Sequence, residues 1–375
     1  MSIPTLTLVT GSQCNLACSY CYQPYTLFGA EHRQLRPQTV QRALQWYAKQ
    51  FGDDSIQINF YGGEPLLAFN ILQSACEAAT ALFHHIKFEC VTNGTLINSR
   101  LLAWAERYHI NFVLSLDGPE SIHDTVRVDW GHRGSYKRVI AFYYQAMAAG
   151  LPVRFNTVVT APQSLGDIYE HLMSLWGQVS DTTVQFIPEY GLSPLSFDVY
   201  DYENKLFDIG IKSVSSHLKI HNISTLIGHF LEGRKSYNGK LACGAGTTQF
   251  ALLPNGQIYP CHRFAIENWS DASIVSDDVS DFSIEASDAF TPVERCRHCD
   301  IADVCRGGCL MNIIGPNEQS NPSPFYCATR RAEVHATQKI YETLWNTRPI
   351  EILGLFSSSA SSLFENMILE SRNDG

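Results

Sequence analysis

The stretch CNLACSYCYQ, Cys14 to Gln23, carries three cysteines at C-x3-C-x2-C spacing, with only thirteen residues ahead of the first. Three thiols gathered that closely are a metal-binding pattern, yet a tetrahedral zinc ion and an iron–sulfur cubane both ordinarily take four protein ligands. What fills the fourth place decides what the loop does. TLTLVT (5–10) just upstream reads as a β-strand, so the cysteines lie on the loop that follows a first strand.

Working outward, strand-like and helix-like runs alternate. PQTVQRALQWYAKQF (37–51) is a helix with proline in its first turn, and IQINF (56–60) is a second strand. A helical stretch from about Leu66 to His85 leads to IKFECVT (86–92), then SRLLAWAERY (99–108) leads to NFVLSL (111–116). SYKRVIAFYYQAMAAG (135–150), VRFNTVV (153–159), a helix near 164–177 and TTVQFI (182–187) complete six repeats. Six β-α repeats imply a parallel sheet with right-handed crossovers, an open α/β barrel short of the eight units that close one. In such a barrel the reactive groups collect on loops at the C-terminal ends of strands, where the cysteines sit.

Other strand ends are polar and glycine-containing. YGGEP puts Gly62, Gly63 and the carboxylate of Glu64 after strand two, VTNGT (91–95) puts Asn93 after strand three, and SLDGP (115–119) puts Ser115 at the end of strand four. Asp117, Asp124, Arg127 and Arg133 follow, with Glu189 and Tyr190 after strand six. Each of these has a plainer reading, since NG and DGP are common turn dipeptides. A zinc site completed by His32 or by a distant residue stays open on spacing alone. Cys76 and Cys90 fall in a predicted helix and strand and are expected to be buried packing residues.

Of 375 residues, 45% are apolar and 17% charged, the composition of a globular chain. The formal charge of −10 argues against a nucleic-acid partner. No apolar run reaches membrane-spanning length, and MSIPTLTL lacks the basic-then-apolar layout of a secretory signal, so a cytoplasmic location without membrane contact is expected. Twelve cysteines in a reducing compartment point to metal ligands or catalysts before disulfides. Seven of them fall between Cys243 and Cys327, among Gly- and Pro-rich loops where bound metal substitutes for a conventional core. A helix from about Ala328 to Trp345 closes that region. The expected divisions are a barrel over 1–190, a bridge over 191–240, a cysteine-rich domain over 241–348 and a tail over 349–375.

These motifs resemble the radical S-adenosylmethionine (SAM) superfamily: C-x3-C-x2-C after the first strand, Tyr20 just before the third cysteine, and GGEP after the second strand. The resemblance covers about residues 5–190. It implies a partial (β/α)6 TIM-like barrel whose Cys14, Cys18 and Cys21 hold a four-iron cluster. The fourth iron would be chelated by the amino and carboxylate groups of SAM, which would fill the missing ligand place. Glu64 would accept from the methionine amino group, with Gly62 and Gly63 allowing close approach. Ser115 and Arg127 match positions that contact the ribose or carboxylate, Asn93 is a further polar contact, and Ile187 is an adenine contact or plain core. One electron from the cluster would cleave SAM to a 5′-deoxyadenosyl radical that abstracts a substrate hydrogen.

The later cysteines resemble the SPASM domain, which holds two auxiliary four-iron clusters. The resemblance implies Cys296, Cys299, Cys305 and Cys327 on one cluster, and Cys243, Cys261 and Cys309 on the other. GAGTTQFALLPNGQIYP, between Cys243 and Cys261, contains no cysteine, which leaves an open iron or a non-cysteine ligand there. SPASM enzymes mostly act on peptides or proteins. Anaerobic sulfatase-maturating enzymes, which make formylglycine, place a carboxylate base directly after the second SPASM cysteine, where this chain has His262. GGEPLL is a frequent wording in maturases of ribosomally made peptides, which forge thioether or carbon–carbon links. His262 is a candidate base for that chemistry, its alternative being a hydrogen-bonded structural histidine. The implied partners are a precursor peptide and a flavodoxin or ferredoxin reductant; with no winged-helix module expected ahead of Cys14, leader recognition would fall to a separate leader-binding protein, the bridge region or the barrel rim. A non-catalytic iron–sulfur or zinc protein is the competing class.

Overall fold

The computed structural model describes residues 3–21, 34–175, 182–188, 197–231, 244–264, 296, 298–305, 308–309 and 324–356. Its described residues fall into two compact units. One takes in the chain up to Ser115, Asp124–Val153 and the described part of 243–291; the other takes in 116–123, 154–242 and the described residues after 292. The cysteine-rich segment contributes to both.

In the first unit, β1 (Thr5–Val9), β2 (Ser55–Tyr61), β3 (His85–Thr92) and β4 (Asn111–Ser115) pair in parallel, each with its sequence neighbour. β2 alternates, burying Ile56, Ile58 and Phe60, whereas β1 is buried along its whole length. That difference is the one expected between a strand with one covered face and one covered on both. The helices between them bury single stripes. α1 (Pro37–Phe51) starts on proline and turns Val40, Ala43, Leu44 and Tyr47 inward, at helical spacing. Gly52 ends it at φ 83°. α2 (Phe69–Leu82) follows a short 3-10 turn, and the Asn98 side chain caps α3 (Ser99–Arg107) by accepting from Leu101 N at 2.9 Å. α4 (Glu120–Val126) and α5 (Tyr136–Ala148) follow β4. The cysteine-rich segment adds to this sheet: β8 (Gln249–Leu252) lies parallel to β1 with Thr5 opposite Gln249, and β9 (Ile258–Tyr259) folds back antiparallel on β8. Gly256 turns that hairpin at φ 88°.

In the second unit, β5 (Val153–Val159), β6 (Thr182–Pro188) and β7 (Leu218–Ile220) are parallel in that order. α6 (Leu165–Ser174) joins the first two strands, and α7 (Val199–Ser213) leads to β7. β7 extends the parallel run past six strands; its three residues are too few to carry a periodic signal. α8 (His221–Leu231) follows, and α9 (Pro324–Thr347) is the long C-terminal helix. α9 buries Phe325, Thr329, Ala332, Ala336, Ile340 and Leu344. Gly210 of α7 lets it in closely: a Cβ there would stand 2.3 Å from Ile340 Cδ1. No helix among the described residues is long and apolar enough to cross a membrane.

Candidate active site and cysteine clusters

The cluster loop is gripped from several sides within the first unit. GGEP grips it first: Gly63 N donates to Gly11 O at 2.9 Å and Glu64 N to Gln13 O at 2.8 Å. A Cβ on Gly63 would lie 2.2 Å from Gln13 O, and one on Gly62 2.6 Å from Gly11 O. The two glycines are therefore required by the backbone of the cluster loop itself. Residues 126–130 make the second grip, a short ladder in which Ala17 N donates to Val128 O at 2.7 Å and Ser19 N to Val126 O at 3.0 Å. Trp130 Nε1 adds a bond to Cys14 O at 3.1 Å, and the Arg127 guanidinium lies over the Tyr20 ring at 5.3 Å. Asp129 holds this segment in shape, accepting from the backbone of Gly131 and Arg133 and from the Arg133 and Arg138 guanidiniums. The end of β3 is the third: Asn93 Nδ2 reaches Asn15 Oδ1 at 2.9 Å and Cys14 Sγ at 3.7 Å, and Asn15 Nδ2 donates to Thr95 Oγ1 at 2.7 Å.

Glu64 is 2% exposed and accepts three bonds: from Leu66 N at 3.1 Å, Thr92 Oγ1 at 2.8 Å and Asn93 N at 2.7 Å. Burial raises its pKa to about 7 against these bonds and the attraction of Arg127. A carboxylate has about four acceptor positions, so three protein donors leave room for one more, such as an amino group. Burial also pushes the Cys14 thiol up to about 11, and Glu64, Cys18 and Cys21 add to the rise. Thiols among acidic neighbours stay protonated until a cation joins them, and iron is such a cation. The donors fit a cluster in another respect, since Leu16 N and Asn93 Nδ2 both point at Cys14 Sγ. Among the described residues no three Cys, His, Asp or Glu side chains gather as a site for one metal ion; a cubane sets its thiolates farther apart than a single ion does.

Ser115 ends β4 half-buried, and Ile187 is half-buried in β6 of the second unit, opposite Val158. Asp117 is structural: its Oδ1 accepts from Val158 N at 2.9 Å. Asp124 likewise accepts from Tyr136 N at 2.9 Å. Arg133 pairs with Asp129 at 3.0 Å. Cys76 and Cys90 are fully buried, as the sequence suggests. His262 lies against Tyr61 with ring centroids 4.3 Å apart, and its Nδ1 is 3.6 Å from Cys261 Sγ. Burial, with Arg263 nearby, lowers its pKa to about 4. Cys243, His32, Glu189 and Tyr190 lie outside the described residues.

The second cysteine group belongs to the second unit. Cys296 and Cys299 share a turn closed by Cys299 N to Cys296 O at 3.3 Å, and a single helical turn, Ala302–Cys305, carries Cys305. Cys327 stands near the start of α9. Burial pushes the Cys305 thiol up to about 11; Arg330 opposes the rise, while Cys296 and Cys299 add to it. Behind them Leu226, Ile301, Val304 and Val334 form an apolar wall against which Cys299 and Cys305 pack. Two arginines that sequence reasoning missed face this group. Arg331 Nη2 donates to Cys299 Sγ at 3.3 Å, and Arg330 bonds Cys305 while its Nη1 pairs with Glu333 at 2.6 Å. Arg330 Nε is buried without a hydrogen-bond partner among the described residues, an orphan donor that a cluster sulfide would satisfy. The residues present thus fit an iron–sulfur cluster. Cys309 N is held by Tyr326 Oη at 2.7 Å.

Comparison with known proteins agrees with this geometry. Residues 8–175 match the family model of the Radical SAM superfamily. A cysteine-type anaerobic sulfatase-maturating enzyme of Clostridium novyi is 25% identical over 83% of this chain and 88% of its own length. The radical SAM cyclopropyl synthase TigE of Paramaledivibacter caminithermalis is 22% identical over 83% of this chain and 68% of its own. The solved structure of native anSMEcpe with bound AdoMet and Kp18Cys peptide superposes with a TM-score of 0.73 at 20% identity, covering 92% of this chain and 100% of that one. Residues 8–175, a little under half of the chain, are thus similar to the Radical SAM superfamily. The chain's mixed α/β fold has the parallel sheet typical of radical SAM proteins and a cysteine-rich C-terminal region, and it is similar both to anaerobic sulfatase-maturating enzymes and to radical SAM enzymes that modify ribosomal peptides.

Proposed function

We propose that this enzyme forms an intramolecular cross-link, a carbon–carbon cyclophane or a thioether, in a ribosomally made precursor peptide. When bound, three four-iron clusters and SAM supply a 5′-deoxyadenosyl radical that abstracts a side-chain or backbone hydrogen, and an acceptor for the electron released as the ring closes. The chain's own residues position and protect. Cys14, Cys18 and Cys21 would hold the first cluster; Glu64, with a free acceptor position, would orient the SAM amino group; Arg127, Ser115 and Asn93 would contact the rest of SAM. Cys243, Cys261 and Cys309 hold one auxiliary cluster, and Cys296, Cys299, Cys305 and Cys327 the other. In balance, the peptide loses one hydrogen atom, then one proton and one electron, as one new bond forms.

His262 carries this reading. Sulfatase maturases have a carboxylate base directly after the second SPASM cysteine, and here an imidazole beside Tyr61, kept neutral by its lowered pKa, takes that place and would receive the proton. Formylglycine formation is the second reading, favoured by the likeness to the Clostridium novyi enzyme across 83% of the chain. A flavodoxin or ferredoxin would supply the starting electron, and a separate protein, the bridge region or the barrel rim the leader-peptide grip. Intact mass of a peptide encoded beside the gene, co-expressed anaerobically, tests this. Loss of two hydrogens per site without new carbonyl reactivity is the expected result; the same loss with a hydrazine-reactive product would mean formylglycine and overturn the cross-link.

A further inference from the structure

Cys327, Arg330 and Arg331 lie at i, i+3 and i+4 on α9, so one face of one helix offers a cysteine and two guanidiniums together. Both guanidiniums are committed to the same neighbourhood. Arg331 Nη2 is 3.3 Å from Cys299 Sγ, with Asp300 Oδ1 accepting from its Nε at 3.0 Å. Arg330 bonds Cys305, and Glu333 anchors it from behind. Glu333 is itself fixed: Asn222 Nδ2 donates to it at 2.9 Å and Tyr202 Oη at 3.3 Å. Asn222 in turn is bonded to both the N–H and the C=O of Phe186 in β6. An apolar wall lies behind Cys299 and Cys305; Arg330 is the more buried of the two guanidiniums, whereas the Arg331–Asp300 pair faces solvent, with side chains 35% and 61% exposed.

We infer that Arg330 and Arg331 are tuning residues for the cluster site of Cys296, Cys299, Cys305 and Cys327, raising its reduction potential and so making it the electron-accepting end of the enzyme. One-electron reduction adds a further negative charge to a group that four thiolates already make negative. Cations and N–H···S bonds at the thiolates stabilise that added charge. A cluster bordered by two guanidiniums is therefore easier to reduce than one bordered by carboxylates. Asp300 works against Arg331, so the site carries its own counterweight.

The inference rests on the SPASM reading of these four cysteines, and the experiment separates the two. The full-length chain carrying Cys14→Ala, Cys18→Ala and Cys21→Ala is reconstituted with iron and sulfide, and the auxiliary signals are followed by electron paramagnetic resonance during a redox titration. Absence of any auxiliary cluster overturns the ligand assignment, and the inference with it. With clusters present, Arg331→Gln should shift one potential downward, Arg331→Lys should shift it less, and Asp300→Asn should shift it upward. A merely structural role for Arg331 would leave the potential in place or move it without regard to the sign of charge. Unchanged potentials, or the reverse order, overturn the inference. If Arg331→Gln fails to hold the cluster, Asp300→Asn decides alone: an unchanged or lowered potential overturns it.

Discussion

The two cysteine clusters differ in what surrounds them. Each thiol feels its fellow cysteines, but beyond them Cys14 of the cluster loop has the acidic Glu64 as its electrostatic neighbour. At the second site Cys305 faces Arg330, and Cys299 accepts from Arg331. Burial raises both thiols to about 11, so solvent exclusion is not what separates them. Fixed charge is. Acidic surroundings suit a cluster that must give up an electron, and cationic surroundings one that must take it. The anchoring differs too: the loop is held mostly by backbone bonds and glycine contacts, the second site by charged side chains backed by a buried carboxylate.

The sharpest way to break this contrast is to remove one site and watch the other. In the Cys14→Ala, Cys18→Ala, Cys21→Ala variant, 5′-deoxyadenosine formation should fall to background while iron bound through the later cysteines remains. Chemical iron analysis and product chromatography check both halves. Loss of all the iron would mean that the sites do not load independently.

Next in size is the anchor of Arg330. Replacing Glu333 by alanine leaves a buried guanidinium without its carboxylate, and breaking a buried pair by removing one partner costs about 3–5 kcal/mol. Asn222 and Tyr202 lose their shared acceptor at the same stroke. Faster hydrogen exchange in α9, with β1 to β4 unchanged, is the expected outcome. Glu333→Gln, which keeps an acceptor, should cost less.

At the loop the corresponding carboxylate is Glu64, and its effect depends on pH. Its pKa is raised in the folded protein from 4.5 to about 7. The native state therefore holds a proton that the unfolded state has released. The stability this gives is complete below pH 4.5 and is lost as pH rises through about 7. At about 1.4 kcal/mol per pH unit, the ionised carboxyl costs the SAM-free protein roughly 3 kcal/mol by pH 8. Thermal midpoints from pH 5 to 8 should fall more steeply for the SAM-free wild type than for Glu64→Gln. Saturating SAM should flatten the wild-type slope if its amino group pairs with the carboxylate.

Much of this contrast is legible in the sequence. The strand order and the cluster cysteines follow from alternating patterns and from spacing, because each is carried by residues close in the chain. Gly62 and Gly63 were also legible as positions of close approach, and the neighbour they meet is the backbone of residues 11–13, about fifty positions away. β7 escaped because three residues cannot show a period, and β8 because its pairing with β1 joins positions more than two hundred residues apart. Arg330 and Arg331 left a signal that was passed over. They follow Cys327 by three and four positions inside a predicted helix, which puts all three on one face.

Trp130 left no such signal, and it marks the small end of the scale. Its ring is 60% exposed, so packing contributes little, yet Nε1 donates to Cys14 O at 3.1 Å. Trp130→Phe keeps the ring and removes only that donor. A single neutral hydrogen bond is worth about 1 kcal/mol net, and the freed carbonyl can turn to water. One kcal/mol is about a fivefold change in an opening equilibrium. Iron should therefore leave the loop cluster about five times faster under a chelator, while the second site, held by side-chain charges rather than by this backbone clasp, keeps its rate. Equal acceleration at both sites would mean that the loop is not separately clasped.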